Sequence, residues 1–446
     1  MMMKYFGTDG FRGRVNETLC LNHAIKIGEY LGRYFSQTKQ NPKILIGKDT
    51  RRSSYMLEYA LSAGITSAGG DAYLMHVTTT PSVSYITKRD GFDCGVMITA
   101  SHNPYHDNGI KIINSSGDKM GDEFLSGIED YIDGKIQLSS SLEPGKCIDY
   151  LIGRNKYVNY LSTLPKNSFR GYKIGLDCAN GASFAVARNI FSMLGADVFM
   201  INNKPDGKNI NVDCGSTHPE LLQEYVKGNK LDIGFAFDGD ADRCMMVDEK
   251  GNLIDGDGIM YIIALYLKEH GRLNKDTVVA TVMSNIGLKK ALNNHGISIA
   301  STDVGDKYVA QEMFDNGYVI GGEQSGHIIL GEYANTGDGI LTALMLADIL
   351  VDTKNLASAL TAGLEIFPQK LKNVIVKDKK EAMEDKEILA LVDKCNAELD
   401  GNGRVLLRAS GTEPMIRIMV EAADGKACDD YIARIDKLVE ERYAAG

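Results

Sequence analysis

The sequence predicts an α/β protein built from three similar mixed α/β domains and a smaller C-terminal α+β domain. Three observations carry this expectation. Short apolar runs alternate with stretches of helical period through most of the chain, the signature of a sheet covered by helices. A strand that ends in a polar turn opens a new stretch three times, at Lys43, Tyr172 and Thr277, which reads as a triplicated unit. The final segment differs, with two strands around a turn and one terminal helix. A length of 446 residues suits three to four domains, each with its own core.

In order, His23 to Phe35 carries Ala24, Gly28, Leu31 and Phe35 on one face and reads as an amphipathic helix. Lys43–Gly47 is a strand ending in Lys48-Asp49-Thr50-Arg51. Leu57 to Ala68 is a helix of small residues, suited to close packing on a sheet. Asp71–Val77, Cys94–Ile98 and Gly109–Ile113 complete a mostly parallel sheet. The polar run Ser139-Ser140-Ser141 closes this domain, placed at residues 1–150. The second domain, 151–253, has strands at Tyr172–Cys178, Ala196–Ile201 and Leu231–Phe237, with a helix from Phe184 to Leu194. The third, 254–368, has strands at Thr277–Val282 and Ile297–Ala300, and helices at Ile286–Asn293 and Gly337–Leu350. In the fourth, 369–446, charged residues crowd Lys377 to Lys386. Strands follow at Arg404–Leu407 and Met415–Val420, then a helix from Ala427 to Tyr443 with Ile432, Ile435, Leu438 and Val439 inward.

Composition limits the function. A formal net charge of −10 argues against a nucleic-acid surface or an anionic membrane as partner. A phosphorylated substrate would have to meet clustered arginines and a metal. The eight cysteines (20, 94, 147, 178, 214, 244, 395 and 428) are dispersed with no CxxC pair, as expected of reduced thiols in a cytoplasmic protein. No apolar signal region follows Met1, and Ile259–Leu267 and Ile340–Val351 are too short or too interrupted, by Asp348, to span a membrane.

Four loops carry the chemistry. Thr99-Ala100-Ser101-His102-Asn103-Pro104 puts Ser101 at the tip of an apolar strand, where open α/β sheets place reactive groups. A lone Ser-His pair more often caps a turn, so the weight falls on what accompanies it. Phe237-Asp238-Gly239-Asp240-Ala241-Asp242-Arg243 sets alternate carboxylates on a turn after a strand, able to converge on one hard cation. A calcium EF-hand would need glycine where Arg243 stands and a helix in place of the strand. Octahedral magnesium with a phosphate oxygen fits better, with Arg243 as a phosphate clamp. Gly321-Gly322-Glu323-Gln324-Ser325-Gly326-His327 suits recognition of sugar hydroxyls. Arg408-Ala409-Ser410-Gly411-Thr412-Glu413-Pro414, with Arg417, offers hydroxyls, a close backbone and guanidinium forks to a phosphate. One such loop falls in each of the four domains, the arrangement a phosphosugar-handling central cleft requires.

These loops, in this order, resemble those of the α-D-phosphohexomutase family: Thr99 to Lys111, Asp238 to Arg243, Gly322 to His327 and Arg408 to Pro414. Gly7 to Gly13 and Val304-Gly305-Asp306-Lys307-Tyr308 also look like family segments. Asn209-Ile210-Asn211 followed by Cys214-Gly215-Ser216-Thr217-His218, with Gly322-Glu323-Gln324-Ser325, is similar to the branch acting on glucosamine phosphates. Ala241 departs from that branch, which more often has glycine, and is similar to the phosphomannomutase/phosphoglucomutase branch. The resemblance implies Ser101 carried as phosphoserine and one Mg²⁺ held by Asp238, Asp240, Asp242 and the Ser101 phosphate. It also implies a glucose or glucosamine 1,6-bisphosphate as intermediate or activator, a fourth domain that closes over the site, and a homodimer. Arg408, Ser410, Gly411, Thr412, Arg417, Arg243 and His102 would bind the substrate's phosphates, and Glu323 and Ser325 the sugar. Lys111, His327 and Arg12 are the candidate proton-transfer or transition-state groups. A metal-dependent phosphatase and a non-catalytic phosphosugar-binding protein are the competing readings of the same loops.

Overall fold

The computed structural model describes residues 3–139, 143–409 and 414–443. The chain divides into two compact units, residues 1–283 with 299–362, and residues 284–298 with 363–446. Among the described residues there are four separate sheets.

The first unit begins with β1 (Phe6–Gly7), β2 (Gly10–Arg14), α1 (Leu21–Ser36), β3 (Lys43–Lys48), α2 (Arg52–Ser67), β4 (Asp71–Val77), α3 (Thr80–Arg89), β5 (Cys94–Ile98), β6 (Asp107–Asn114), α4 (Asp122–Ile132) and β7 (Cys147–Asp149). The sheet order is β1-β2-β6-β5-β3-β4-β7. Three neighbouring pairs are parallel, β5/β3, β3/β4 and β4/β7, and three are antiparallel, β1/β2, β2/β6 and β6/β5. The mostly parallel sheet expected here is therefore corrected to an evenly mixed one. After β5 the chain turns straight back instead of crossing over through a helix. On one face Ile27, Leu31, Leu57 and Leu61 from α1 and α2 close on Ile44, Ile46, Val96 and Ile98, all fully buried. Each such side chain contributes about 1.5–3 kcal/mol on burial. The small residues of α2 serve helix against helix as well as sheet. A Cβ on Gly64 would lie 2.3 Å from Ile25 O of α1, and one on Gly28 would lie 2.4 Å from Leu61 O.

The chain continues through α5 (Leu151–Ser162), β8 (Lys173–Asp177), α6 (Ala187–Met193), β9 (Asp197–Ile201), α7 (Glu220–Asn229), β10 (Ile233–Phe237), β11 (Cys244–Asp248) and β12 (Leu253–Ile254). The five strands lie in the order β12-β11-β10-β8-β9. The helix expected from Phe184 to Leu194 is broken at Val186, whose φ of −130° ends a short 3-10 turn before α6 begins. Then come α8 (Gly256–Glu269), β13 (Thr277–Thr281), α9 (Ile286–Asn294), β14 (Ser298–Thr302), α10 (Asp306–Asn316), β15 (Ile320–Gly322), β16 (Ile328–Leu330) and α11 (Gly339–Thr353). Their sheet is ordered β14-β13-β15-β16, and α9 belongs to the second unit.

The second unit also holds β17 (Gln369–Ile375), α12 (Lys379–Glu384), α13 (Lys386–Leu399), β18 (Arg404–Ala409), β19 (Met415–Glu421) and α14 (Gly425–Tyr443). Its three strands are all antiparallel, β17-β19-β18. Ile432, Ile435 and Val439 of α14 are buried against them, with Leu438 partly so. All eight cysteines are free thiols. No helix among the described residues is long and apolar enough to cross a membrane.

One local pattern recurs in all four sheets. The chain runs up one strand, makes a loop, and returns antiparallel: β5 to β6, β10 to β11, β15 to β16 and β18 to β19. Those strand pairs flank the four segments that the sequence marks as chemical, of which residues 410–413 lie outside the described residues.

Candidate active site

Ser101 follows β5 in a left-handed conformation, φ +51°, and is 1% exposed. For a non-glycine residue that backbone costs roughly 1–2 kcal/mol, so surrounding contacts must impose it. They come from two sheets. Arg51, fully buried, donates from Nη2 to Ser101 O at 2.9 Å and Asn103 O at 2.8 Å, and from Nη1 to Asp107 O at 3.1 Å. Its Nε donates to Asp49 Oδ2 at 2.8 Å; Thr99 Oγ1 donates to the same oxygen at 2.8 Å and accepts Ser101 N at 2.9 Å. From the second sheet, Asn211 Nδ2 donates to Ser101 O at 2.8 Å. Gly239 packs so closely on that carbonyl that a Cβ would lie 2.5 Å from it.

The β10–β11 reversal brings Asp238, Asp240 and Asp242 together, with one carboxylate oxygen of each within 4.8 Å of the others, all buried. Ser101 Oγ donates to Asp238 Oδ2 at 2.6 Å. Lys111 Nζ, delivered by β6, reaches Asp240 Oδ2 at 2.9 Å and Asp242 Oδ2 at 3.3 Å. Thr80 Oγ1 donates to Asp240 Oδ2 at 2.6 Å. Burial, then Asp242 and Asp240, push the Asp238 carboxyl well above the usual range. Asp240 Oδ1 and Asp242 Oδ1 are buried without a hydrogen-bond partner among the described residues. Buried carboxylate oxygens left unpaired, crowded with like charge, and drawn only from hard oxygen donors fit a divalent cation such as Mg²⁺.

Cations ring this centre. Arg243, next to Asp242, is drawn further into its charged form by Asp238, Asp242 and Glu323 against the opposing effect of burial. Arg12 pairs with Asp9, which also meets Lys111 Nζ at 3.1 Å. His102 Nδ1 stands 3.3 Å from Ser101 Oγ. Burial, then Arg243 and Arg12, push His102 down to about 4, so the ring is neutral at neutral pH. His327 lies between Asp242, Nδ1 to Oδ1 at 3.8 Å, and Asp306, Nε2 to Oδ2 at 3.6 Å. Two influences compete on it. Gly337 N, 3.1 Å from Nε2, favours a neutral ring accepting there. Burial also favours the neutral ring, yet the carboxylates of Asp242, Asp306 and Glu323 outweigh both and raise it to about 9. Beside it Glu323 Oε1 accepts Gly305 N at 3.2 Å, and Ser325 Oγ is 3.4 Å from Glu323 Oε2.

In the second unit, Arg408 and Arg417 sit directly opposite each other on β18 and β19. Opposed like charges weaken a strand pair, and Arg417 Nε is buried without a hydrogen-bond partner among the described residues, so this face fits an anion. Ser410, Gly411 and Thr412 lie outside the described residues.

The structure thus gathers Ser101, His102, Arg12, Lys111, the three aspartates, Arg243 and His327 into one contiguous set in the first unit. Sequence reasoning missed Arg51, Thr80, Asp9 and Lys119 as contributors. Arg51 had one signal, its place in the polar turn that ends β3.

Comparison with known proteins follows the same lines. Phosphoglucomutase/phosphomannomutase family models match as alpha/beta/alpha domain I over residues 3–138, domain II over 155–251, domain III over 255–367 and the C-terminal domain over 371–438. The phosphoglucosamine mutase of Lachnospira eligens is 51% identical, covering 99% of this chain and 100% of that one. That of Bacillus subtilis is 47% identical, with 98% of each chain covered. A phosphoglucomutase/phosphomannomutase family protein from Burkholderia thailandensis shares the fold at a TM-score of 0.80 and 23% identity, over 99% of this chain and 98% of that one. Aspergillus fumigatus N-acetylphosphoglucosamine mutase, solved with GlcNAc-6P and magnesium, does so at 0.71 and 20%, over 99% and 96%. With four domain matches in order and full-length relatives near half identity, the chain belongs to the phosphoglucomutase/phosphomannomutase family, the α-D-phosphohexomutases.

Proposed function

We propose that this chain interconverts glucosamine 6-phosphate and glucosamine 1-phosphate, with Ser101 as the phosphoryl carrier, in the route to UDP-N-acetylglucosamine. The observation that carries the proposal is Ser101 Oγ, 2.6 Å from Asp238 at the edge of a buried three-carboxylate cluster. The amino-sugar assignment rests on full-length relatives at 47–51% identity that are named phosphoglucosamine mutases.

In the first half-reaction the anomeric hydroxyl of glucosamine 6-phosphate gives up its proton and attacks the phosphorus carried on Ser101. The P–Oγ bond breaks, Oγ takes up a proton, the P–O1 bond forms, and a bound 1,6-bisphosphate results. After the sugar turns over, Ser101 Oγ attacks the 6-phosphoryl group and loses its own proton. The P–O6 bond breaks, O6 takes up a proton, and glucosamine 1-phosphate leaves. Such transfers depend mainly on positioning and charge stabilisation. Lys111, Arg12 and Arg243 face the transferring group with positive charge, and Lys111, His327 and Arg12 are the groups placed to move the two protons. Neutral His102 flanks Oγ without competing for the carboxylates. Glu323 and Ser325 take the sugar hydroxyls, and Arg408 and Arg417 take a phosphate. Asp238, Asp240 and Asp242 would hold one Mg²⁺, which when bound neutralises charge on the phosphoryl group.

The test is a coupled mutase assay on glucosamine 6-phosphate and mannose 6-phosphate, with intact-mass detection of one added phosphate. The expected result is a preference for the amino sugar and an added phosphate that Ser101→Ala abolishes together with turnover. A large preference for mannose 6-phosphate overturns the substrate assignment. Release of inorganic phosphate faster than isomerisation overturns the mutase assignment.

A further inference from the structure

Lys111, Asp9, Lys119, Asp306, His327 and Asp242, all in the first unit, form a closed ring of contacts that includes one aspartate of the triad. Lys111 Nζ meets Asp9 Oδ2 at 3.1 Å, and Asp9 Oδ1 meets Lys119 Nζ at 2.8 Å. Lys119 Nζ meets Asp306 Oδ2 at 2.7 Å, and Asp306 Oδ2 faces His327 Nε2 at 3.6 Å. His327 Nδ1 faces Asp242 Oδ1 at 3.8 Å, and Asp242 Oδ2 returns to Lys111 Nζ at 3.3 Å. The first sheet with its flanking loops supplies Asp9, Lys111 and Lys119, the second Asp242, and the third Asp306 and His327. Asp306 belongs to a segment of the chain that carries no role in the mechanism above, and Asp9 pairs with Arg12 three residues on.

We propose that Lys119 is a positioning residue for the mutase reaction, holding Asp9 and Asp306 so that Lys111 and His327 stay fixed on opposite sides of Asp242. The contacts of Lys119 go to none of the aspartate triad, Lys111, His327 or Arg12. All three of its donors are committed, to Asp9, to Asp306 and to Thr8 O at 3.2 Å. A mutase needs such a frame more than a hydrolase does. The same Ser101 must give up a phosphoryl group in one half-reaction and accept one in the other, so two proton-moving groups must hold their places through both. Without the Lys119 ammonium, Asp9 and Asp306 lose the cation they share, and each is free to draw its remaining partners, Lys111 and Arg12 for Asp9 and His327 for Asp306, out of line. Misplacement by about an ångström costs on the order of 100-fold in rate.

A control is built into the fold. Lys307 Nζ pairs with Asp122 at 3.1 Å between the same first and third sheets' peripheries, at the exposed surface and outside the ring. The inference rests on the mutase reading, and the experiment separates the two. Steady-state kinetics on glucosamine 6-phosphate are compared for the unsubstituted chain, Lys119→Met, Lys119→Arg and Lys307→Met, with folding followed by circular dichroism. Lys119 is half-exposed, with 35% of its side chain accessible, so the methionine variant is expected to fold. The expected result is a kcat lowered about 10- to 100-fold in Lys119→Met with KM changed less than about two-fold. Lys119→Arg, whose fork reaches both carboxylates, recovers most of the loss, and Lys307→Met matches the unsubstituted chain. Should Lys119→Met not fold, Asp306→Asn is read in its place and the same kcat loss is expected. An unchanged kcat in Lys119→Met, an equal loss in Lys307→Met, or no recovery by arginine overturns the positioning role and leaves the mutase reading standing. Inactivity of the unsubstituted chain overturns both.

Discussion

Replacing Asp238 by asparagine should make the metal-free protein more stable and at the same time abolish its response to magnesium. Carboxylate oxygens of Asp238, Asp240 and Asp242 lie within 4.8 Å of one another. At that separation and an effective dielectric constant of about 20, each like-charge pair costs ~3.5 kcal/mol. Lys111 offsets this for Asp240 and Asp242, at 2.9 and 3.3 Å, but makes no such contact with Asp238, which relies on Arg243. Asparagine removes two repulsions and part of the attraction to Arg243. It keeps one acceptor where the carboxylate used two, for Ser101 Oγ at 2.6 Å and Arg243 N at 3.3 Å, a loss of about 1 kcal/mol. The balance is a gain of about 1–2 kcal/mol, or a few degrees in Tm. The sign follows from linkage as well. An acid whose pKa is raised by folding costs stability at every pH above its unfolded value, and a neutral asparagine in its place carries no such cost. Magnesium reverses the order, because a ligand at about 100 times its Kd adds ~2.7 kcal/mol to the form that binds it. The assay is thermal unfolding of both proteins in EDTA and in saturating magnesium chloride. A lower Tm for Asp238→Asn in EDTA, or an undiminished magnesium shift, would refute the reasoning that these carboxylates are a cation site held under mutual repulsion.

Arg51→Met should cost about 3–5 kcal/mol, since it strands the fully buried Asp49 and frees three carbonyls of the Ser101 loop; urea unfolding measures it, and a loss below about 1 kcal/mol would contradict the role assigned. His102 has a folded pKa lowered to about 4, so its contribution is present above pH 6.5 and is lost as pH falls toward 4. Over that window His102→Gln should lose about 3 kcal/mol less than the unsubstituted protein, read from unfolding midpoints across the pH series. Arg417→Ala should raise KM for glucosamine 6-phosphate about 10-fold or more through loss of charge-assisted phosphate contacts, while slightly stabilising the sheet by relieving its opposition to Arg408. A KM within two-fold of the original would remove Arg417 from the substrate site.

What was legible in the sequence followed from local signals. Asp71–Val77 and Cys94–Ile98 have the expected limits because both are apolar runs bounded by turn residues. The four chemical loops stood out because their residue types are concentrated within a few positions. The last pair was legible as two strands around a turn, but the direction of the chain after the other three loops did not show. Cys244–Asp248 follows Asp242-Arg243 with no Asn-Gly or Gly-Gly to mark a reversal, because the left-handed residue of that turn is Ala241, φ +58°. The helix Thr80–Arg89 was hidden by its hydroxyl residues and Pro81, although Thr79 caps it through Ser82 N and proline sits in its first turn. Arg51 and Asn211 were missed for another reason. Their partners lie 50 and 110 residues away, at Ser101, and nothing local distinguishes a buried arginine at a strand end from a solvated one.

Ser101, Ala241 and Asn211 share a property that explains why the reacting group needs two sheets. All three are non-glycine residues with positive φ, +51°, +58° and +58°, and each is held there by atoms from outside its own loop. Ser101 O takes donors from Arg51 and Asn211, Ala241 O takes Gly339 N at 3.0 Å, and Asn211 N donates to Ala179 O at 2.9 Å. Ser101 and Ala241 are not favoured there locally, at roughly 1–2 kcal/mol each, and Ser101, held from both the first and the second sheet, would relax if either withdrew. The carrier's geometry is therefore a property of the joined first and second sheets and not of the Ser101 loop. For a serine that must present the same oxygen to two successive transfers, this is the useful arrangement. Neither the gain nor the loss of a phosphoryl group alters the contacts that set its backbone, because those contacts are made to the carbonyl and amide and not to Oγ.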